Sequence, residues 1–274
     1  MTGRDPRPFR FGVTASRTGD LAEWTRTARR VESLGYARLL LPDVAAGPAP
    51  LPALAAAAAA TESLRVGSWV LCEPLRPRGL LAWDVRTLHE LLGERFELGL
   101  GAGRPGAERD AALLGVDYDD PAGRVARLTV TLRRLRDELP GLRLLVAASG
   151  TRMLRLAGRQ ADTVALGWHP DTDLESAARL VAVVARAARD RDDPPALAAG
   201  LLAVGDVGTP WSARLGTTPA ALAAHGAVTV VTGTAREMAD SLRRRRDALG
   251  VAHWTIPAEA VDAFAPVVDL LRGS

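Results

Sequence analysis

Three side chains in this sequence stand where an apolar run ends and are chemically able to move a proton: Asp43, Glu73 and His169. Asp43 follows Leu39-Leu40-Leu41-Pro42, Glu73 follows Val70-Leu71-Cys72, and His169 follows Leu166-Gly167-Trp168. A carboxylate or an imidazole held at such a junction suits general acid–base work. Plainer uses stay open for each. Asp43 can cap a helix or anchor a loop, Glu73 can pair on the surface with Arg76 or Arg78, and His169 can be a surface loop residue beside a Trp168 that lines a pocket or caps the core. Ser149-Gly150-Thr151-Arg152-Met153 offers amides, hydroxyls and a guanidinium at a strand-to-helix junction, which suits a phosphate or an ordinary N-cap. The glycines of Leu98-Gly99-Leu100-Gly101-Ala102-Gly103 let backbone approach a ligand closely, but no helix follows at the distance a dinucleotide fingerprint needs. Thr14-Ala15-Ser16-Arg17 adds hydroxyls that border a ligand or make a turn. The Glu73-Pro74 bond can adopt the cis form, and a bulge there would press against a flat ring.

Other chemistry is excluded by what is missing. The 35 basic residues are all Arg, so there is no lysine for a Schiff base or a phosphate loop. Cys72 is the single cysteine and the four histidines are scattered, so neither an intrachain disulfide nor a metal site is expected. With 32 acidic residues the net charge is +3, and the pI near 9.9 reflects guanidinium basicity rather than a polybasic surface. The run Arg243 to Arg246 reads as a solvated helix face, and nucleic-acid binding is not expected. No apolar stretch is long enough to span a bilayer, and the start of the chain has charges without the apolar segment of a secretion signal. A cytoplasmic protein is expected.

The elements that must position these residues alternate between short β-type runs and longer amphipathic helices, as in a parallel α/β fold. Candidate strands are Phe9–Val13, Ala37–Leu41, Leu64–Leu71, Phe96–Leu100, Leu142–Ala147, Thr163–Leu166, Leu197–Val204 and His253–Ile256. Leu21, Trp24, Ala28, Val31 and Leu34 recur at helical steps, as do Val125, Leu128, Leu132, Leu135 and Leu139. Eight strands suffice to close a (β/α)8 TIM barrel, whose chemistry sits where strands end and the next loops begin. The stretch Gly205–Thr234 is long for a connection and reads as an insertion near the C-terminal barrel mouth, of the kind that forms lids. The Pro- and Arg-rich start, Met1 to Pro8, and the stretch near Arg191 to Pro195 read as irregular.

Taken in order, Phe9–Val13, Pro42-Asp43, Leu64–Leu71, Leu88–Gly103, Ser149–Met153 and Ala161-Asp162 resemble the luciferase-like monooxygenase superfamily. The resemblance covers nearly the whole chain and is strongest from Leu64 to Gly103. The ending Phe264-Ala265-Pro266-Val267-Val268 is similar to that of the coenzyme F420-dependent oxidoreductases within it. It implies one barrel domain over residues 1–274, holding coenzyme F420, or FMN as the alternative, in its C-terminal mouth. It places the ring against a bulge at Cys72-Glu73-Pro74, with Gly101, Ala102, Gly103 and Trp168 as neighbours and Ser149, Gly150, Thr151 and Arg152 on the phosphate tail. The implied activity is hydride transfer between the deazaflavin and an electron-poor carbon (imine, enone, dehydroamino acid or alcohol/carbonyl) of a small molecule or peptide. His169, Glu73 and Asp43, in that order, are the candidate proton donors. An FMN-dependent monooxygenase is the runner-up, and a non-catalytic binding barrel is a third reading. Val44 stands where the family often has His, Glu73-Pro74 where a small polar residue is common, and Arg104-Pro105 where an aromatic-led stretch is frequent. The resemblance also implies a homodimer through barrel helices.

Overall fold

A computed structural model describes residues 7–209, 212–213 and 216–274. Residues 1–6 of the Pro- and Arg-rich start, and residues 210–211 and 214–215 of the expected insertion, lie outside that description. The chain runs β1 (Arg10–Thr14), α1 (Leu21–Ser33), β2 (Arg38–Leu41), α2 (Pro50–Ala59), β3 (Arg65–Ser68), β4 (Leu71–Cys72), α3 (Arg78–Leu92), β5 (Phe96–Gly101), α4 (Ala107–Leu114), α5 (Pro121–Glu138), β6 (Arg143–Ala148), α6 (Thr151–Gln160), β7 (Thr163–Leu166) and α7 (Leu174–Ala187). It continues with β8 (Ala196–Gly200), β9 (Ala203–Val204), β10 (Val207–Gly208), α8 (Pro219–Ala224), β11 (Val230–Val231), α9 (Ala235–Leu249), β12 (Val251–Pro257) and α10 (Val261–Leu271). Parallel pairing follows the order β3-β2-β1-β12-β8-β7-β6-β5, and β3 pairs with β5 to close the ring. This is the eight-stranded barrel expected from the apolar runs.

Local chemistry starts the helices. Asp20, Asp120 and Asp173 accept the amides of Glu23, Gly123 and Ser176 at the starts of α1, α5 and α7. Thr234 and Glu237 form a reciprocal capping box at α9. Each such cap stabilises its helix by about 1 kcal/mol.

Strand alternation divides the side chains cleanly. One set, including Leu39, Leu41, Val66, Phe96, Leu98, Leu144, Val146 and Ile256, meets Trp24, Leu54, Leu81, Leu132 and Phe264 of the surrounding helices in one core. The other set faces the barrel interior. There Arg38 reaches Glu97 at 2.9 Å across the bare backbone of Gly67. Gly12, Leu40, Gly67, Gly99, Leu145, Ala165 and Ala198 give the barrel a waist of small residues with two leucines. Layers of bulky branched residues, usual inside such barrels, are absent here.

Two strands differ from the expected runs. Strand three breaks at Trp69-Val70 into β3 and β4, and β4 still pairs with β5 through Leu71↔Leu100 and Cys72↔Gly101. The Trp69–Val70 peptide is the cis bond among the described residues, which corrects the expected location at Glu73-Pro74. The expected strand Leu197–Val204 ends at Gly200, because the chain changes partners. Leu201 N donates to Thr255 O at 2.8 Å, and Leu202 N donates to Thr229 O at 2.7 Å. From there β9 joins β10 and β11 in a small separate sheet, packed by Ala203, Leu222, Ala227 and Val230. Val228 N donates to Thr172 O at 2.8 Å and Thr229 Oγ1 donates to Pro170 O, so the insertion is anchored on the loop after β7. That is the C-terminal side of the barrel, as the sequence suggested.

Candidate active site at the C-terminal mouth

The mouth is built from strand ends carrying little bulk. Gly101, Ala147, Gly167 and Gly200 stand beside Thr14, Trp69 and Val70. Val70 presses on β5, where a Cβ on Gly101 would lie 3.0 Å from its Cγ2 and one on Gly99 would lie 2.9 Å from its Cγ1. Trp69 crosses toward the far wall, its Nε1 4.0 Å from where a Gly200 Cβ would be. The Thr14 hydroxyl is buried with no hydrogen-bond partner among the described residues.

The start of α6 is the open part of the rim. Ser149, Gly150, Thr151 and Arg152 are all exposed, no side chain caps the helix, and nothing lies within 4 Å of a Cβ built on Gly150. The first amides of α6 therefore point out with unmet donor capacity, next to a guanidinium. That combination attracts phosphate.

The two candidate carboxylates have other partners. Asp43 is 7% exposed and accepts the Cys72 amide at 2.9 Å. It also forms a two-pronged pair with Arg76, one arm measuring 2.8 Å. Glu73 is 0% exposed, with Arg127 Nε donating to one oxygen at 2.9 Å and the Thr131 hydroxyl to the other at 2.7 Å. Both tie the turn after β4 in place, Asp43 from β2 and Glu73 to α5. The structure does not bring either together with His169. His169 lies on the exposed loop after β7, its Nδ1 hydrogen-bonded to Asp171, whose carboxyl that bond holds below the usual carboxylate range.

Cys72 and Leu75 pack with Ala107 and Ala111 of α4, away from the mouth, alongside a buried Pro74. Burial, with the nearby Asp43 carboxylate, pushes the Cys72 thiol up to about 11, so it stays protonated at neutral pH. Beyond β5, Arg124 donates to Ala102 O at 2.9 Å and lies 4.4 Å over the Tyr118 ring, which covers Gly103. Trp168 packs on Trp254 at 6.1 Å, joining the core around the barrel. Its indole N–H is buried without a partner.

Trp69, Val70 and Tyr118 are mouth residues that sequence reasoning missed, whereas Thr14 was among the hydroxyls it offered. The signal for Trp69 and Val70 was present but misread, because Ser68-Trp69-Val70 continues a β-type run and hides the break. Nothing local marked Tyr118, which reaches the mouth only through the fold.

Comparison with known proteins agrees with this geometry. Part of the chain is 34% identical over 140 residues to an F420-dependent glucose-6-phosphate dehydrogenase from Beutenbergia cavernae. That match spans 42% of this chain and 41% of the relative's length. In structure the chain is similar to a coenzyme F420-dependent tetrahydromethanopterin reductase from Methanopyrus kandleri, with TM-score 0.74, 14% identity and coverage of 97% and 98% of the two chains. It is also similar to a riboflavin lyase with modified FMN and riboflavin, with TM-score 0.76, 14% identity and coverage of 97% and 92%. At such identities these structures establish the shared barrel. The luciferase-like monooxygenase family model matches residues 7–209, three-quarters of the chain, and the chain belongs to that family.

Proposed function

We propose that this chain is one barrel domain over residues 1–274 that works as a coenzyme F420-dependent oxidoreductase. Its substrate would be an electron-poor carbon of a small molecule or peptide. The observation that carries this reading is the uncapped, exposed start of α6 beside Arg152, at the rim of a mouth lined by small residues. The donors present fit the phosphate of such a cofactor, and the identity shared with an F420-dependent dehydrogenase favours the deazaflavin. When bound, a deazaflavin supplies two-electron hydride chemistry.

The chain's own residues supply position and a proton. Ser149, Gly150, Thr151 and Arg152 hold the phosphate tail. Trp69 and Val70, with Val70 packed on Gly101, would support one face of the ring, beside Ala102 and the Tyr118-covered Gly103. Asp43 and Glu73, each committed to an arginine, position the turn at Cys72-Glu73-Pro74. His169, held by Asp171, is the group free to deliver a proton to substrate. Trp168 stands behind it on Trp254.

The FMN-dependent alternative is favoured by the structural likeness to the FMN-containing riboflavin lyase. Titration with coenzyme F420 and with FMN, followed by fluorescence quenching, separates the two. Saturable micromolar binding of the deazaflavin alone is expected. Binding of FMN alone, with oxygen consumption, would replace this reading by the monooxygenase one, and binding of neither would leave a barrel with a purely binding role. Under the first outcome, His169→Ala lowers turnover by about 10²-fold or more while cofactor affinity stays within about twofold. Equal turnover would remove His169 from the reaction.

A further inference from the structure

We propose that the N-terminal end of the barrel, opposite the mouth, holds a second site that takes a phosphate or a phosphate monoester. A cleft of ≈570 Å³ opens there into the barrel interior, with Arg7, Arg10, Arg143 and His253 among its walls and Glu97 and Leu145 deeper in. Its volume falls within the range of about 300–1,000 Å³ usual for small-ligand sites.

Four arginines and four acids line this cleft, equal in number but not all matched in pairs. At the rim Arg7 pairs with Asp193 and Arg136 with Asp162, both at 3.2 Å. Further in, Arg38 at 2.9 Å and Arg65 at 3.4 Å share the single carboxylate of Glu97. Glu94, 3.9 Å from Arg65, has a side chain 85% exposed to water. Neither Arg10 nor Arg143 has a hydrogen-bond or ion-pair partner for its side chain among the described residues. Arg10 is only partly exposed, and a cation taken from water without a partner is destabilising, whereas the exposed Arg143 keeps its hydration and stands ready at the cleft wall.

Two further observations point to an anion as the ligand. Among the described residues, His253, 7% exposed, has no partner for its Nδ1, and the Nε and Nη2 of the fully buried Arg38 are likewise unmet. Arg10 is held below the ordinary guanidinium range by burial and then by its neighbours Arg65 and Arg38. Arg10, Arg38, Arg65 and Arg143 start four strands of one ring, and His253 is the third residue of a fifth. Arg10 on β1 and Arg143 on β6 come from opposite sides of it. An anion between them is clamped from two directions by guanidinium forks, which a tetrahedral phosphate satisfies better than a planar carboxylate.

The test is calorimetric titration of the full chain with inorganic phosphate, AMP and adenosine in chloride buffer. It is made in an Arg152→Gln background so that the exposed guanidinium at the start of α6 is removed. Saturable binding of phosphate or AMP, with adenosine silent, is expected. Tighter binding of AMP than of phosphate means that a monoester fills the cleft, and equal binding means that the oxyanion alone is recognised. Adding Arg10→Gln and Arg143→Gln should weaken that binding at least about tenfold, as expected for lost charge-assisted hydrogen bonds. The same pair should also abolish the rise in melting temperature that phosphate gives the parent. Absence of saturable binding in the Arg152→Gln protein, or unchanged binding and unchanged phosphate-induced stabilisation in the triple variant, overturns the proposal.

Discussion

His253 sits on β12 with burial, and then the guanidiniums of Arg38, Arg10, Arg7 and Arg143, driving its pKa well below the ordinary imidazole value. It is neutral in the folded protein, whereas in the unfolded chain it titrates near pH 6.5. Below that pH the unfolded state gains a proton that the folded state refuses. Folding stability then falls by up to about 1.4 kcal/mol per pH unit. Urea unfolding at pH 7.5 and 5.5 should show a loss of about 1 kcal/mol, and His253→Asn should flatten that slope. Glu97 responds in a separate window. Burial raises its pKa, but Arg38, Arg65 and Arg10 outweigh burial and leave it lowered. Its contribution is present above the unfolded carboxylate pKa and fades as pH falls through the lower folded value. At this scale the sequence located Asp43, Glu73 and His169 but not their company. The partners of Glu73 lie 54 and 58 residues away, beyond the reach of any local pattern.

The turn after β4 depends on α5, because Arg127 and Thr131 of that helix hold both oxygens of Glu73. Arg127 also donates to Arg76 O at 2.6 Å, so one guanidinium clamps two points of the turn. Glu73→Ala strands a cation whose side chain is only 24% exposed, with an expected loss of about 3 kcal/mol. Glu73→Gln retains a hydrogen-bonding oxygen and should lose roughly half as much; equal losses would mean that shape, not charge, holds the turn. Chemical denaturation of both variants checks this. Element by element, apolar periodicity found every barrel strand and the helices α1 and α5. It missed the ends of strands three and seven. Val70 continues its apolar run across the break between β3 and β4, and Leu201 continues its own past Gly200, where the new partner Thr229 is distant in sequence.

Across the whole molecule, α3 presents Leu80, Trp83 and Leu91 at 45%, 68% and 71% exposure along one face. We propose this stripe as the homodimer contact, since large exposed apolar groups in a row mark association surfaces. Trp83→Glu should convert a dimer to a monomer in sedimentation velocity without altering the melting of the barrel; a wild-type monomer would refute the contact. Among the described residues no helix is long and apolar enough to cross a membrane. The barrel and its mouth were legible because each strand announces itself locally. The cleft at the other end was not, because it is assembled from single arginines at the starts of strands, each unremarkable where it stands. The small-residue waist has its own consequence for anyone who mutates this chain systematically. A Cβ on Gly67 would press on the Glu97 carbonyl and one on Gly99 on the Ser68 carbonyl, backbone atoms that cannot swing aside. Gly12 and Gly200 meet side-chain atoms at 3.3 Å and 3.2 Å. A tolerance map would therefore show a ring of intolerant interior positions, strictest at Gly67 and Gly99. That ring would report the bore of the barrel and not its chemistry.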